Sequence, residues 1–230
     1  MNKLDSKNNR RGQTALFLAV VFVIWVTYLL LAAPHDLAAS IHLNDDSSGW
    51  ARWMQDYGTL PSLILYVAAA IYLLIPPLRR LSEVAKKAAL ALLLMFVLDP
   101  MLITTGLKMV WGRLRFIQLH GDWSLFTEFY QINQSFPGVS FPSGHVATAT
   151  VFFPIAWLLM REGRGRAAFV VAATTTVWGI AMALSRIILG AHYLTDTIFS
   201  MGLSVMLAPP VAWAARKLSD RYFVISRKAT

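Results

Sequence analysis

The sequence predicts an all-α protein built into a membrane: a six-helix transmembrane bundle with both termini cytoplasmic and a site at the external face. Three observations predict it. Hydrophobic residues make up 57% of the 230 and charged residues 14%, where soluble domains carry ~25% charged. Six apolar stretches divide the chain, each near the ~20 residues that a hydrocarbon core of ~30 Å requires. Lys and Arg are unequally shared between alternate loops.

The stretches run about Gln13–Ala33, Thr59–Pro77, Ala88–Leu107, His145–Met160, Ala167–Leu184 and Leu194–Ala215. The second and fourth are short. The first is too long and too poorly supplied with a cleavage site for a removed signal peptide, Ala32-Ala33-Pro34 being the one stretch that speaks for cleavage, and it reads as a retained helix. Pro34–Gly58 is polar and acidic, with Asp36, Asp45, Asp46 and Asp56; Trp50 and Trp53 give it an interfacial character. Trp111–Phe141 mixes aromatic and polar residues and is expected against the membrane surface. No repeat or linker divides the chain, so residues 1–230 read as one domain.

Sixteen of the 21 basic residues fall on one side of this plan. They are Lys3, Lys7, Arg10 and Arg11; Arg79, Arg80, Lys86 and Lys87; Arg161, Arg164 and Arg166; and Arg216, Lys217, Arg221, Arg227 and Lys228. That bias assigns both termini to the cytoplasm. It also accounts for most of the net charge of +9 without nucleic acid as a partner. Cysteine is absent, which excludes disulfides, thiolate metal sites and a cysteine nucleophile.

The five cations left outside are Arg52, Lys108, Arg113, Arg115 and Arg186, and four of them lie in or beside polar motifs. The first motif runs Lys108-Met-Val-Trp-Gly-Arg113-Leu-Arg115-Phe116, with Lys108 and Arg115 two helical turns apart and so expected on one helix face. The second is Phe141-Pro142-Ser143-Gly144-His145, ahead of the fourth stretch. The third is Ser185-Arg186, five residues, His192, three residues, Asp196. Counting stretches sends all three to the external end. Lys108, Arg115 and Arg186 gather without a comparable acidic cluster and call for an anion, and forked Arg donors suit phosphate oxygens. Pro-Ser-Gly before an apolar helix offers free backbone N–H groups, and Gly144 admits a close approach. On a helix, Asp196 can reach the His192 ring, fix its tautomer and prepare it as a nucleophile, while His145 can protonate a leaving oxygen.

These motifs resemble the three signatures of the type 2 phosphatidic acid phosphatase family: Lys, six residues, Arg-Pro; Pro-Ser-Gly-His; and Ser-Arg, five residues, His, three residues, Asp. The second and third match in full. The first matches at Lys108 and Arg115 and departs at Phe116, where the family has proline. The resemblance implies a lipid phosphatase with His192 as nucleophile, Asp196 as its partner and His145 as general acid. It implies that Lys108, Arg115, Ser143, Gly144 and Arg186 bind phosphate, with no metal or cofactor. The substrate would be a membrane lipid phosphate of the phosphatidate, phosphatidylglycerol phosphate, undecaprenyl diphosphate or lipid A type, in a bacterial inner membrane with the site facing the periplasm.

Other readings stand beside this one. The same site would serve a lipid phosphotransferase, and Asp99 with breaks at Pro100 and Pro154 would suit a transporter. His35, His42 and His120 read as solvated. Arg113 reads either as part of the phosphate site or as facing lipid headgroups, the second favoured. Asp99 has no assigned role.

Overall fold

The computed structural model describes residues 3–79, 82–135 and 137–228. Arg80 lies outside them, and so do the side chains of Lys3, Lys7, Arg10, Arg79, Arg227 and Lys228 that entered the charge count. Among the described residues every regular element is helical, with one isolated bridge between Gly112 and Gly138.

Helix α1 (Lys3–Ala32) passes through a 3-10 turn at Ala33–His35 into α2 (Asp36–Leu43). Pro34 sits in the first turn of that segment, where its missing N–H leaves no bond unmade. After α2 come α3 (Gly49–Tyr57) and α4 (Leu60–Leu74), then the short α5 (Pro76–Arg79). Ser48 starts α3 by accepting the Ala51 N–H, and Ser82 starts α6 (Glu83–Phe96) by accepting the Ala85 N–H at 3.2 Å. Helix α6 widens into a π-helical segment, Val97–Thr104, around Pro100, and closes again as α7 (Thr105–Trp111). The chain returns through α8 (Gly144–Ala149), α9 (Phe153–Arg161), α10 (Gly165–Ile188) and α11 (Leu194–Lys228).

Five continuous runs are long and apolar enough to cross a membrane: Arg11–Leu43, Gly49–Leu74, Glu83–Trp111, Gly165–Ile188 and Leu194–Arg221. They mark the chain as an integral membrane protein. The expected fourth span is not one helix. Proline inside a helix removes a bond and clashes with the carbonyl four residues back, here that of Thr150. So α8 ends at Ala149, and α9 restarts at Phe153 with Pro154 in its first turn. The polar segment after the first stretch also departs from expectation, because α2 extends the first run and α3 opens the second.

Helices α4, α6, α9 and α11 enclose the larger apolar core, with Tyr66, Met95, Leu158 and Ala212 buried. Large apolar side chains such as Val23, Ile64 and Phe169 stay on the outside of α1, α4 and α10, as a lipid solvent requires. Gly202 of α11 lies against the Trp25 indole of α1, so the two helices meet at a small residue. At one end of the bundle the start of α6 meets the end of α9 through Lys87 and Glu162, 3.2 Å apart.

Asp99 is fully buried in the π segment. One carboxylate oxygen accepts from Thr104 Oγ1 at 3.2 Å and the other from Ser204 Oγ of α11 at 2.6 Å. Ser204 Oγ lies 2.8 Å from Thr150 Oγ1, in the turn after α8. One side chain therefore ties together the three segments that lead to Lys108, His145 and Asp196. An apolar replacement strands buried hydroxyls at about 1–3 kcal/mol. Asp99→Leu is expected to lower the melting temperature in detergent by several degrees, with Asp99→Asn recovering most of the loss; equal melting of the Leu variant and the parent would remove this tie from the fold.

Candidate active site

Helix α7 ends because Gly112 turns left-handed, at φ 68°. A side chain there would be strained, and the turn lifts the next residues off the helix axis. Lys108 and Arg115 are therefore not on one helical face as their spacing suggested: Lys108 is in the last turn of α7, and Arg115 is extended, at φ −74° and ψ 155°. Phe116 then opens a 3-10 turn, Phe116–Leu119.

Arg113, between them, does not face headgroups. Its side chain is wholly buried and forms ion pairs with two carboxylates that are also wholly buried. Nη1 donates to Asp196 Oδ1 at 2.6 Å and Nη2 to Asp36 Oδ2 at 2.9 Å. Nε donates to the Thr127 carbonyl at 2.9 Å, and Nη1 also to Thr195 Oγ1 at 3.0 Å. The guanidinium carbon lies 4.2 Å from the Tyr193 ring centroid. Asp36 also accepts from the Thr195 N–H at 2.9 Å and from the Thr195 hydroxyl.

Asp196 occupies the third position of α11 and reaches back to the Tyr193 N–H at 3.0 Å, as an acidic residue there does in a capping box. The same oxygen accepts from Ser140 Oγ at 2.5 Å. With Arg113 on its other oxygen, the carboxylate is held on both sides. His192 is not on the helix but in the turn before it, and Asp196 meets its ring from the helix start. Nδ1 stands 3.5 Å from Asp196 Oδ2, beyond hydrogen-bond length, and is the ring nitrogen nearer the carboxylate. His192 is 2% exposed. Burial, aided by the positive charges of Lys108 and Arg186, holds the imidazole neutral and pushes its pKa down to about 4, against the opposing pull of Asp196.

Around these histidines lie the three cations. His145 feels Arg186, Lys108 and Arg115; His192 feels Lys108 and Arg186. Arg186 Nη1 donates to Gln55 Oε1 of α3 at 2.6 Å, and Lys108 Nζ to the Val139 carbonyl at 2.5 Å. A Cβ on Gly144 would sit 3.8 Å from Lys108 Cε, so the start of α8 faces that side chain. The Ser143 N–H is already taken by the Asp196 carbonyl at 3.2 Å, which leaves the next N–H groups of α8 as the free ones. Among the described residues, five buried polar atoms without partners belong to the three motifs: Arg115 Nε, Ser143 Oγ, Arg186 Nε, His192 Nδ1 and the Tyr193 hydroxyl. Stranded donors beside concentrated positive charge form a place for an anion.

All eight residues singled out from the motifs thus come to one end of the bundle. Sequence reasoning missed those behind them: Asp36, Ser140, Thr195 and Gln55. Arg113 was visible as an outside cation without topological purpose, but its partners were not. His35, His42 and His120 are exposed, as expected.

The chain matches the family model described as PAP2 superfamily over residues 87–220, more than half its length. No curated protein and no solved structure matches it.

Two outcomes follow from this geometry. Removing Arg113 leaves two buried carboxylates facing each other, a loss of about 3–5 kcal/mol. Arg113→Ala is therefore expected to melt far below the parent, with Asp36→Asn recovering part of the loss in the double variant; additive losses would mean that the two side chains are not coupled. For His192, a depressed pKa means that the ring is neutral at pH 7 and gains its proton only as pH falls toward about 4. The ¹⁵N-histidine resonance absent from His192→Ala should stay in its neutral position down to pH 5, and a midpoint near 6.5 would contradict the burial.

Proposed function

We propose that this chain, which belongs to the PAP2 superfamily, is a phosphatase that hydrolyses a lipid phosphomonoester or diphosphate through a phosphohistidine on His192, without a metal ion. The observation that carries the reading is the set of unpartnered donors on Arg115, Ser143 and Arg186, gathered with Lys108 beside two histidines.

In this reading the phosphoryl oxygens take the place of the missing partners. Arg115, Arg186 and Lys108 neutralise the oxygens, with Ser143 Oγ and the free N–H groups from Gly144 onward completing the cradle. His192 Nε2 attacks phosphorus while Nδ1 faces Asp196, which stabilises the charge that grows on the ring. Once the bound phosphate's negative charge offsets the cations around it, His145 carries a proton, and the bond from phosphorus to the leaving oxygen breaks as His145 gives that oxygen this proton. Water then attacks the N–P bond, His145 takes its proton, and phosphate leaves with His192 restored. Lys108 and the two arginines stabilise both transfers, since a phosphoryl group in flight carries its charge on the equatorial oxygens.

Exposed apolar faces on α1, α4 and α10 support a substrate drawn from the bilayer. The reading includes a sixth crossing made by α8 and α9 together, a single domain, and cytoplasmic termini. The site then opens to the outer leaflet, or the periplasm in a bacterial inner membrane. Phosphatidate, phosphatidylglycerol phosphate, undecaprenyl diphosphate and phosphorylated lipid A all present the group that the site would hold.

The test is phosphate release by detergent-purified protein in excess chelator, over that substrate panel. His192→Ala is expected to fall to background. His145→Ala should lose about 100- to 10,000-fold in phosphate release on a lipid ester; on p-nitrophenyl phosphate, whose leaving oxygen needs no proton, it should keep the initial burst of p-nitrophenol while the later hydrolysis of the phosphohistidine stays slow. Unchanged release from His192→Ala would end the phosphohistidine assignment. A newly phosphorylated lipid in place of free phosphate would identify a phosphotransferase.

A further inference from the structure

At the end of the bundle remote from the three motifs, α1, α9 and α11 part to leave a cleft of about 690 Å³, within the ~300–1,000 Å³ typical of ligand sites. Four cations border it: Arg11 of α1, Arg161 at the end of α9, and Arg216 and Lys217 of α11. One carboxylate, Asp220, lies with them. Among the described residues Arg11, Arg216 and Lys217 form no ion pair. Lys217 Nζ stands 4.3 Å over the Trp213 ring. The walls below are apolar, from Leu18, Trp157 and Pro209.

The cleft is far from the candidate active site. Arg216 follows Asp196 by 20 residues on α11, which is ~30 Å along a helix and so about one hydrocarbon thickness. It therefore lies at the opposite membrane interface. A cationic rim over an apolar wall at that depth matches a molecule with an anionic head and a hydrocarbon tail. A soluble anion would leave the apolar wall wet, and a zwitterionic lipid would leave the cationic excess unmatched. Basic pockets between membrane helices hold anionic headgroups by this division of labour.

We infer that the cleft between α1, α9 and α11 binds an anionic glycerophospholipid, its phosphate at Arg216, Lys217 and Arg11 and an acyl chain along Leu18 and Trp157. The lipid fills the gap between α1 and α11, and it does so whether or not the motif end is a phosphatase.

The experiment adds dioleoyl-phosphatidylglycerol, dioleoyl-phosphatidylcholine or inorganic phosphate to the full chain in detergent. It reads the melting temperature and the lipid retained in native mass spectra. Phosphatidylglycerol alone is expected to raise the melting temperature. R216Q/K217Q should bind it about 30-fold more weakly, since each cation near an anionic headgroup contributes about a factor of five. Arg115→Gln, at the other end, should bind it like the parent, which separates this cleft from the motif end. Lipid-free melting of R216Q/K217Q close to the parent shows that the variant is folded; Arg11→Gln, which removes the cation contributed by α1, serves if it is not and should bind about fivefold more weakly. Equal stabilisation of parent and double variant overturns the assignment. So does stabilisation by phosphate alone, which indicates a simple anion site, or by phosphatidylcholine, which indicates an apolar groove without charge recognition.

Discussion

The buried guanidinium of Arg113, held between Asp36 and Asp196, is the interaction on which the motif end of the molecule depends. It joins the start of α2, the chain leaving α7 and the first turn of α11, three places that no backbone bond connects directly. Two carboxylates and one cation leave a net negative charge in a dry place, so the remaining donors matter as much as the ion pairs. Thr195 gives two hydrogen bonds to Asp36; Ser140 and the Tyr193 N–H serve Asp196. A buried ion pair contributes little net stability compared with well-packed apolar groups. What it contributes here is geometry. Asp196 cannot rotate without abandoning Arg113, and its fixed oxygen faces His192 Nδ1.

A bilayer provides no water to helix interiors, so irregular backbone must be satisfied by protein. This chain places its irregularities together: the π segment around Pro100, the break before Pro154, and the turn from α10 into α11. Each lies next to a motif. The buried hydroxyls of Thr104 and Ser204 each donate to one oxygen of Asp99, and Thr150 Oγ1 lies 2.8 Å from Ser204 Oγ, so that this carboxylate is satisfied on both sides. One layer further along, the accounting changes. Arg115, Arg186 and Ser143 keep unmet donors. A chain that satisfies a carboxylate deep in its core while stranding donors beside three cations has its open valence where an anion would go.

The apolar spans and the motif residues were legible because each rests on local information: hydropathy over about 20 residues, or spacing within a dozen. Four of the five outside cations fell in or beside motifs, and that sufficed to find Lys108, Arg113, Arg115 and Arg186. What failed was information carried at long range or by a single stop. Asp36 meets Arg113 from 77 residues away and Thr195 from 159, distances at which no periodicity survives. Arg113 was read by its position in the chain as facing headgroups, whereas burial against two acids decided its place. The helical period from Lys108 to Arg115 was carried through Gly112, which ends the helix. Likewise, hydropathy averaged over the fourth stretch passed across Pro154, which divides it.

Phe116 shows how a motif can lose a residue and keep its shape. The family has proline there, and the residue before a proline is pushed to extended backbone. Arg115, at φ −74° and ψ 155°, has that conformation with no ring to impose it. Phe116 also takes the first position of a 3-10 turn, where proline's missing N–H would leave no bond unmade. Other contacts do the work of the ring. Phe116 stacks on Trp123 at 5.4 Å with the rings nearly parallel, and the Ile117 N–H donates to the Gly190 carbonyl at 3.1 Å. Gly190 lies in the turn that carries His192. The Arg115 backbone is thus tied to the histidine turn through the next residue but one, so that the first motif is positioned by the third.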